Sequence, residues 1–254
     1  MSSSMNESEK ATEPRTPRDA ANWAKPVAAL KVDTIPAGAH AGTVAGRRAT
    51  SPIQGFGKMW QKTYRIALEG TEVSPVEVIK VWKERFPEFW PDGNRFYAPL
   101  TGIAPGEVAL LGMAMPGRIT LSTGVMVLYA DEESFTLMTP QGHMFAGWIT
   151  FSAFQENGQT VAQAQVLMRA SDPIYEIGMT FGGHRQEDVF WARTLKALAA
   201  HFGVTSEPVT QIVCVDSSRQ WTRVGNLRQN AMLRSMLYEI GSMPRRLTGR
   251  FGGR

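Results

Sequence analysis

The chain has 254 residues, of which 43% are hydrophobic and 20% charged, with a formal net charge of +4 at pH 7. That is enough apolar material for one domain of about 100–200 residues with extensions, and a single cysteine, Cys214, excludes an intramolecular disulfide framework. The longest apolar runs, around Val108–Met115 and Val125–Ala130, fall short of the roughly 18 residues that a membrane-spanning helix needs. The polar start MSSSMNESEK lacks the basic and apolar regions of an export signal, so a reducing, cytoplasmic location is the expectation.

Residues 1–51 are rich in Ser, Pro, Ala, Thr and Gly and read as a disordered N-terminal arm, in which Trp23 and Leu30 are isolated bulky side chains. Order is expected from Pro52. In QKTYRIALEG (Gln61–Gly70), Tyr64, Ile66 and Leu68 alternate with Thr63, Arg65 and Ala67, the period of a half-buried strand. Ser74-Pro75-Val76-Glu77 then reads as a helix start, with serine as cap, proline at the first helical position and Glu77 able to close a capping box. Val78, Ile79, Trp82 and Phe86 form that helix's apolar stripe, and Pro87 ends it.

From Arg95 to Ala170 the pattern predicts strand after strand: Phe96–Ala98, Val108–Met115, Ile119–Tyr129, Ser134–Thr139, Phe145–Phe154 and Thr160–Arg169. Asn157-Gly158 is a hairpin signal because both turn positions favour positive φ, and Asp131-Glu132-Glu133 marks a second hairpin. Such short links imply antiparallel neighbours. A second helix is predicted near Arg185, with Trp191, Leu195, Leu198 and Phe202 as its stripe and Gly203 as its C-terminal cap. Beyond it, Val209–Val215 reads as a strand and Asn226–Ile240 as a helix. Between Ser217 and Arg254 there are eight arginines and one acid, Glu239, a net of +7.

The order strand, helix, run of antiparallel strands, long C-terminal helix resembles the helix-grip fold of the START-like, polyketide-cyclase superfamily. Within it, Gly55-Phe56-Gly57-Lys58-Met59-Trp60-Gln61-Lys62-Thr63-Tyr64 and Thr139-Pro140-Gln141-Gly142-His143-Met144-Phe145-Ala146-Gly147-Trp148-Ile149-Thr150-Phe151 resemble a bacterial and plant domain family of unknown function. The resemblance implies an α+β domain at 52–204, in which a curved antiparallel sheet wraps a long C-terminal helix and leaves an apolar cavity. Residues 205–254 would be a basic C-terminal appendix with one helix. The superfamily spans lipid carriers, receptors and cyclases, so the fold leaves the function open.

Strand alternation puts Met113 with Met115, Phe135 with Leu137, Ile149 with Phe151 and Val166 with Met168 on one face, opposite Trp191, Leu195 and Leu198. These side chains form either an ordinary filled core or the wall of a cavity for a hydrophobic small molecule. Met113, Phe135, His143, Ile149, Phe151, Val166, Met168, Trp191 and Leu195 are the candidate ligand-binding residues, with His143 and Arg169 as polar anchors. A cyclase- or dehydratase-like enzyme using His143 with Asp172 or Glu176 as proton shuttle is the alternative.

Other chemistry is weaker. His184 and Asp188 stand four apart at a helix start, but no third metal ligand is apparent. Gly55-Phe56-Gly57 and Gly178–Gly183 match no phosphate-binding loop, and Cys214, between Val213 and Val215, has no activating neighbour. No cofactor or metal is expected. The basic end offers a third reading, an interaction module in which Arg219, Arg223, Arg245 and Arg246 meet an anionic membrane surface or a protein partner, with nucleic acid less favoured.

Overall fold

Alternation of apolar and polar side chains through the middle of the chain produces a single large sheet. The structure is a computed structural model and describes residues 20–115 and 119–237. Among these residues the strands are β1 (Met59–Ala67), β2 (Arg95–Tyr97), β3 (Val108–Met115), β4 (Ile119–Ala130), β5 (Ser134–Met138), β6 (Phe145–Glu156), β7 (Gln159–Ala170) and β8 (Val209–Asp216). Their order across the sheet is β2-β3-β4-β5-β6-β7-β1-β8, with every neighbouring pair antiparallel. The strands expected from Arg95 to Ala170 all appear, with ends shifted by a residue or two.

The turn chemistry acts as its residues dictate. Asn157 (φ 52°) and Gly158 (φ 79°) link β6 to β7 with the two positive φ values of a tight hairpin. Between β4 and β5, Asp131 Oδ1 accepts hydrogen bonds from Glu133 N–H (2.9 Å) and Ser134 N–H (2.8 Å).

Helix α1 (Pro75–Arg85) begins at Ser74, whose Oγ accepts from Glu77 N–H at 3.2 Å. Asp172 does the same for α2 (Pro173–Gly178), accepting from Ile174 N–H (2.9 Å) and Tyr175 N–H (3.1 Å). The Asp-Pro pair is therefore a helix cap with proline in the first turn. A π-helical turn (Met179–Gly183) leads into α3 (His184–His201), which ends where Gly203 (φ 75°) lets Val204 N–H reach Ala199 O at 3.0 Å.

Both long helices lie on the same side of the sheet, α1 against β6 and β7, α3 against β1 and β7. Val78, Ile79, Trp82 and Phe86 of the first stripe and Leu195 and Leu198 of the second are buried in one core with Tyr64, Phe135 and Phe151. This antiparallel sheet closed on a C-terminal helix is the helix-grip architecture.

The domain boundaries expected at 52 and 204 need correction. Residues 1–19 lie outside the described part, but residues 23–50 are packed on the sheet and are no disordered arm. Leu30, only 2% exposed, and Val44 are buried with Leu110 and Met126. Those two side chains project from β3 and β4 on the side away from the helices, and this apolar surface needs cover. Trp23 bridges to Tyr129 with ring centroids 4.7 Å apart, and Thr50 N–H donates to Thr139 O at 2.8 Å.

At the other end β8 pairs with β1 from Met59↔Asp216 to Arg65↔Val209, so the sheet itself continues past 204. The helix expected over 226–240 starts later: residues 221–229 form a 3₁₀ segment and 231–237 are helical. Asn226 commits its side chain to Gln54 O and Ser171 O (2.8 Å each), while Asn230 Oδ1 accepts from Leu233 N–H (3.0 Å) and caps the helix instead. Residues 238–240 and Gly241 lie outside the described part.

Candidate functional site

The helix-facing side of the sheet is filled at one end and hollow at the other. In the filled end, α1 drives Trp82 and Phe86 against Phe135 and Phe151 with ring centroids 5.0–6.2 Å apart. In the hollow end lies a cavity of about 460 Å³, walled by Met113 and Met115 of β3, Leu137 of β5, Ile149 of β6, Val166 and Met168 of β7, and Trp191 of α3.

Six of the nine expected residues therefore share this wall: Met113, His143, Ile149, Val166, Met168 and Trp191. Phe135, Phe151 and Leu195 do not. They have the same facing, but α1 and the inner turns of α3 pack directly on them, and all three are fully buried in the core. Sequence reasoning missed other wall residues: Trp90 after α1, Tyr175 of α2, Met179 and Phe181 of the π-helical turn, and Glu187 and Phe190 of α3. Phe190 was legible as the neighbour of Trp191, whereas Phe181 was not. It is 85% exposed at the cavity rim, on backbone (φ −93°, ψ 39°) that departs from the helix beside Gly182 (φ 111°).

Of the two expected polar anchors only His143 reaches the cavity. Its ring is buried, and its Nδ1 lies 3.0 Å from Phe145 N and 3.2 Å from Phe145 O. Burial pushes its pKa down to about 4, so the ring is neutral at pH 7. Arg169, the other expected anchor, is buried but does not line the cavity. Its guanidinium pairs with Asp216 and donates to Gly57 O and Ser218 O, tying β7 to both flanking segments. The close approach of Gly55 and Gly57 to β7 belongs to the same junction: a Cβ on Gly55 would fall 2.7 Å from Arg169 Cβ.

The proton shuttle expected of His143 with Asp172 or Glu176 is not assembled. Asp172 caps α2 and accepts from Asn230 Nδ2 (2.8 Å), while Glu176 accepts from Arg219 Nε (2.9 Å), and neither acid lines the cavity. Burial raises the Asp172 pKa, against the hydrogen bonds it accepts.

A cluster of buried charge stands behind the wall. Lys62 Nζ lies 2.7 Å from Asp188 Oδ1, 2.9 Å from Glu187 Oε2 and 3.2 Å from His184 O, and Tyr64 donates its hydroxyl to Asp188 Oδ1 at 2.8 Å. Burial pushes Glu187 up to about 7 despite the opposing Lys62 charge, and burial with Lys62 pushes His184 down to about 4. Burial raises the Tyr64 pKa. Asp188 is thus committed to Lys62 and Tyr64, and among the described residues no group of three potential ligands could hold a metal ion.

The remaining expectations fall outside the cavity. Cys214 is exposed on β8. Arg219 is tied to Glu176 and Arg223 is exposed, while Arg245 and Arg246 lie outside the described residues. No helix among the described residues is long and apolar enough to cross a membrane.

No family model matches the chain, and no curated protein matches it. Solved structures similar to it include the di-domain ARO/CYC StfQ from the steffimycin biosynthetic pathway, with 10% identity over 58% of this chain and 53% of that one and a TM-score of 0.44. Protein Ms6760 from Mycobacterium smegmatis has 12% identity, 56% and 90% coverage and a TM-score of 0.42. A START superfamily protein from the same organism has 20% identity, 57% and 97% coverage and a TM-score of 0.38. By its own topology the chain has the helix-grip α+β fold.

Proposed function

We propose that the protein binds a small, largely apolar molecule in the cavity between β3–β7 and α3. The observation that carries this reading is the cavity itself. Its volume of about 460 Å³ lies within the range of about 300–1,000 Å³ usual for small-molecule sites. It sits beside an aromatic core packed ring against ring, so the open space is local to one end of the sheet.

Apolar space left empty costs stability in proportion to its volume, and five methionines in the wall give it a surface that adapts to an occupant's shape. Turnover in the same cavity has less support, because the acids expected to serve His143 are engaged in capping α2 and pairing Arg219.

The test is native mass spectrometry of protein purified from its own host, with titration of a hydrophobic fluorophore alongside. An added mass or saturable binding is expected, and Met168→Phe, which puts a rigid ring in the wall and narrows the cavity, should weaken the fluorophore. A folded protein that carries no added mass and shows no saturable binding overturns the reading.

A further inference from the structure

Several polar atoms on the cavity wall are already spent within the protein, while Trp90 Nε1, though unpartnered among the described residues, is sealed in the interior and Gln186 is exposed. Thr139 Oγ1 donates to Gly147 O and accepts from Gly147 N–H (3.1 Å each). Asn94 Oδ1 accepts from Ala114 N–H (3.1 Å), and its Nδ2 donates to Pro91 O (3.2 Å). The Tyr175 hydroxyl accepts from Met232 N–H at 3.0 Å.

His143 is different. Only its Nδ1 is engaged, with Phe145, while Nε2 has no partner among the described residues and is not one of the sealed polar atoms of the interior. The position of the ring proton follows from the strand pairing. Phe145 faces Ala170 in β7, and the adjoining ladder bond runs from Ser171 N–H to Met144 O. In that antiparallel pattern the Phe145 N–H points away from β7. Its partner is His143 Nδ1 at 3.0 Å. The same nitrogen lies 3.2 Å from Phe145 O, but a proton placed on it would face the Phe145 N–H and leave that N–H unpaired. Because a buried N–H is left unpaired less readily than a carbonyl, we assign the hydrogen of the neutral imidazole to Nε2. The cavity is thus offered a hydrogen-bond donor.

Charge narrows what can accept from it. Among the described residues no lysine or arginine lines the cavity, and its one carboxyl group, Glu187, already faces Lys62. A carboxylate or phosphate would lose its hydration there with no countercharge in return.

We propose that the molecule bound in the cavity has an apolar body ending in a neutral carbonyl, as in a ketone, ester or amide, whose oxygen accepts the hydrogen bond of His143 Nε2–H. This rests on the cavity-binding reading above and adds the chemical class of the occupant.

The experiment uses the full chain and two fluorescent probes, 6-propionyl-2-(dimethylamino)naphthalene, an aromatic ketone, and its 6-propyl analogue, which lacks the carbonyl. His143→Asn keeps an oxygen near the Nδ1 position for Phe145 N–H and removes the donor from the cavity. It should weaken the ketone about five- to tenfold, the loss of one neutral hydrogen bond, and leave the propyl analogue unchanged. His143→Gln, which returns an N–H donor at the reach of Nε2, should recover most of that loss. In the unmutated protein the emission of bound ketone should lie to the red of its emission in hexane, because a hydrogen bond at the carbonyl lowers the excited state.

If both probes bind but His143→Asn weakens them equally or not at all, or the bound ketone emits as in hexane, the carbonyl assignment falls and the cavity reading stands. If neither probe binds saturably, both fall.

Discussion

Phe135 stacks on Phe151 across the β5–β6 pair, ring centroids 4.7 Å apart and planes inclined by 20°. Two residues further along each strand, Leu137 faces Ile149 in the same register and both look into the cavity. The step from the first pair to the second is the border between packed core and open space, because α1 reaches the first pair with Trp82 and Phe86.

Truncation on the two sides of that border should therefore separate stability from binding. Phe151→Ala is expected to cost about 3–5 kcal/mol. Ile149→Ala, which removes a half-buried wall residue, should cost less than half as much while changing fluorophore affinity. Chemical denaturation and titration of both variants provide the check, and equal stability losses would place the border elsewhere.

Lys62 is fully buried with Glu187 and Asp188 around its ammonium. Removing the cation leaves two acids facing each other without a countercharge, so Lys62→Ala should destabilise by about 3–5 kcal/mol at neutral pH. Adding Glu187→Gln should recover part of that loss, as thermal or urea unfolding would show.

The buried ionisable groups give stability a two-sided pH dependence. Glu187, raised to about 7, faces Lys62 and Tyr64 from β1 and His184 and Asp188 from its own helix. A carboxyl with a raised pKa contributes stability below its unfolded pKa and loses it as pH rises through the folded value. The stability of Glu187→Gln relative to the unmutated protein should therefore rise from about pH 4.5 to 7 and then level off. His143, lowered to about 4, acts in the opposite sense. Its contribution is present above pH ~6.5 and lost as pH falls through the folded value, so His143→Asn should blunt acid destabilisation. Urea midpoints across pH 4–8 would reveal either slope, and parallel curves for variant and unmutated protein would contradict the assignment.

Packing of the N-terminal segment predicts a protease pattern. With Leu30 and Val44 buried on Leu110 and Met126, limited proteolysis should leave a core that retains Trp23–Thr50, and cleavage should not stop at Pro52. Leu30→Ala should open that segment to the protease, read as new fragments by mass spectrometry.

The strands between Arg95 and Ala170 are legible because each carries a clear two-residue period and the turns carry the residues their dihedrals require. The wall positions Met113, Ile149, Val166 and Met168 follow from phase in the same way. Phase cannot tell them from Phe135 and Phe151, since hollow or filled is decided by where α1 lays Trp82 and Phe86. Lys62 does leave a trace: it falls in step with the inward residues Tyr64, Ile66 and Leu68, where a lysine demands a buried partner. The N-terminal segment leaves none. Leu30, Ala41 and Val44 are too widely spaced to show a period, and the surface that buries them is built from strands far along the chain. Val209–Asp216 reads as a strand, but its pairing with β1 is a long-range choice that local pattern does not carry.

Gly142 approaches Gln229 so closely that a Cβ on it would lie 2.0 Å from the Gln229 carbonyl oxygen. Just beyond that contact, Asn230 Nδ2 donates to Asp172 Oδ2 (2.8 Å), Ala231 N–H to Gly142 O (2.9 Å) and Met232 N–H to the Tyr175 hydroxyl (3.0 Å). Three consecutive residues thus clasp the loop bearing His143 on one side and the start of α2 on the other. On the proposed binding reading, an occupant that fixes His143 and Tyr175 would also fix residues 230–232. By linkage the effect would be reciprocal: drawing the C-terminal segment away would lower the affinity for an occupant by the same factor by which the occupant holds the segment down.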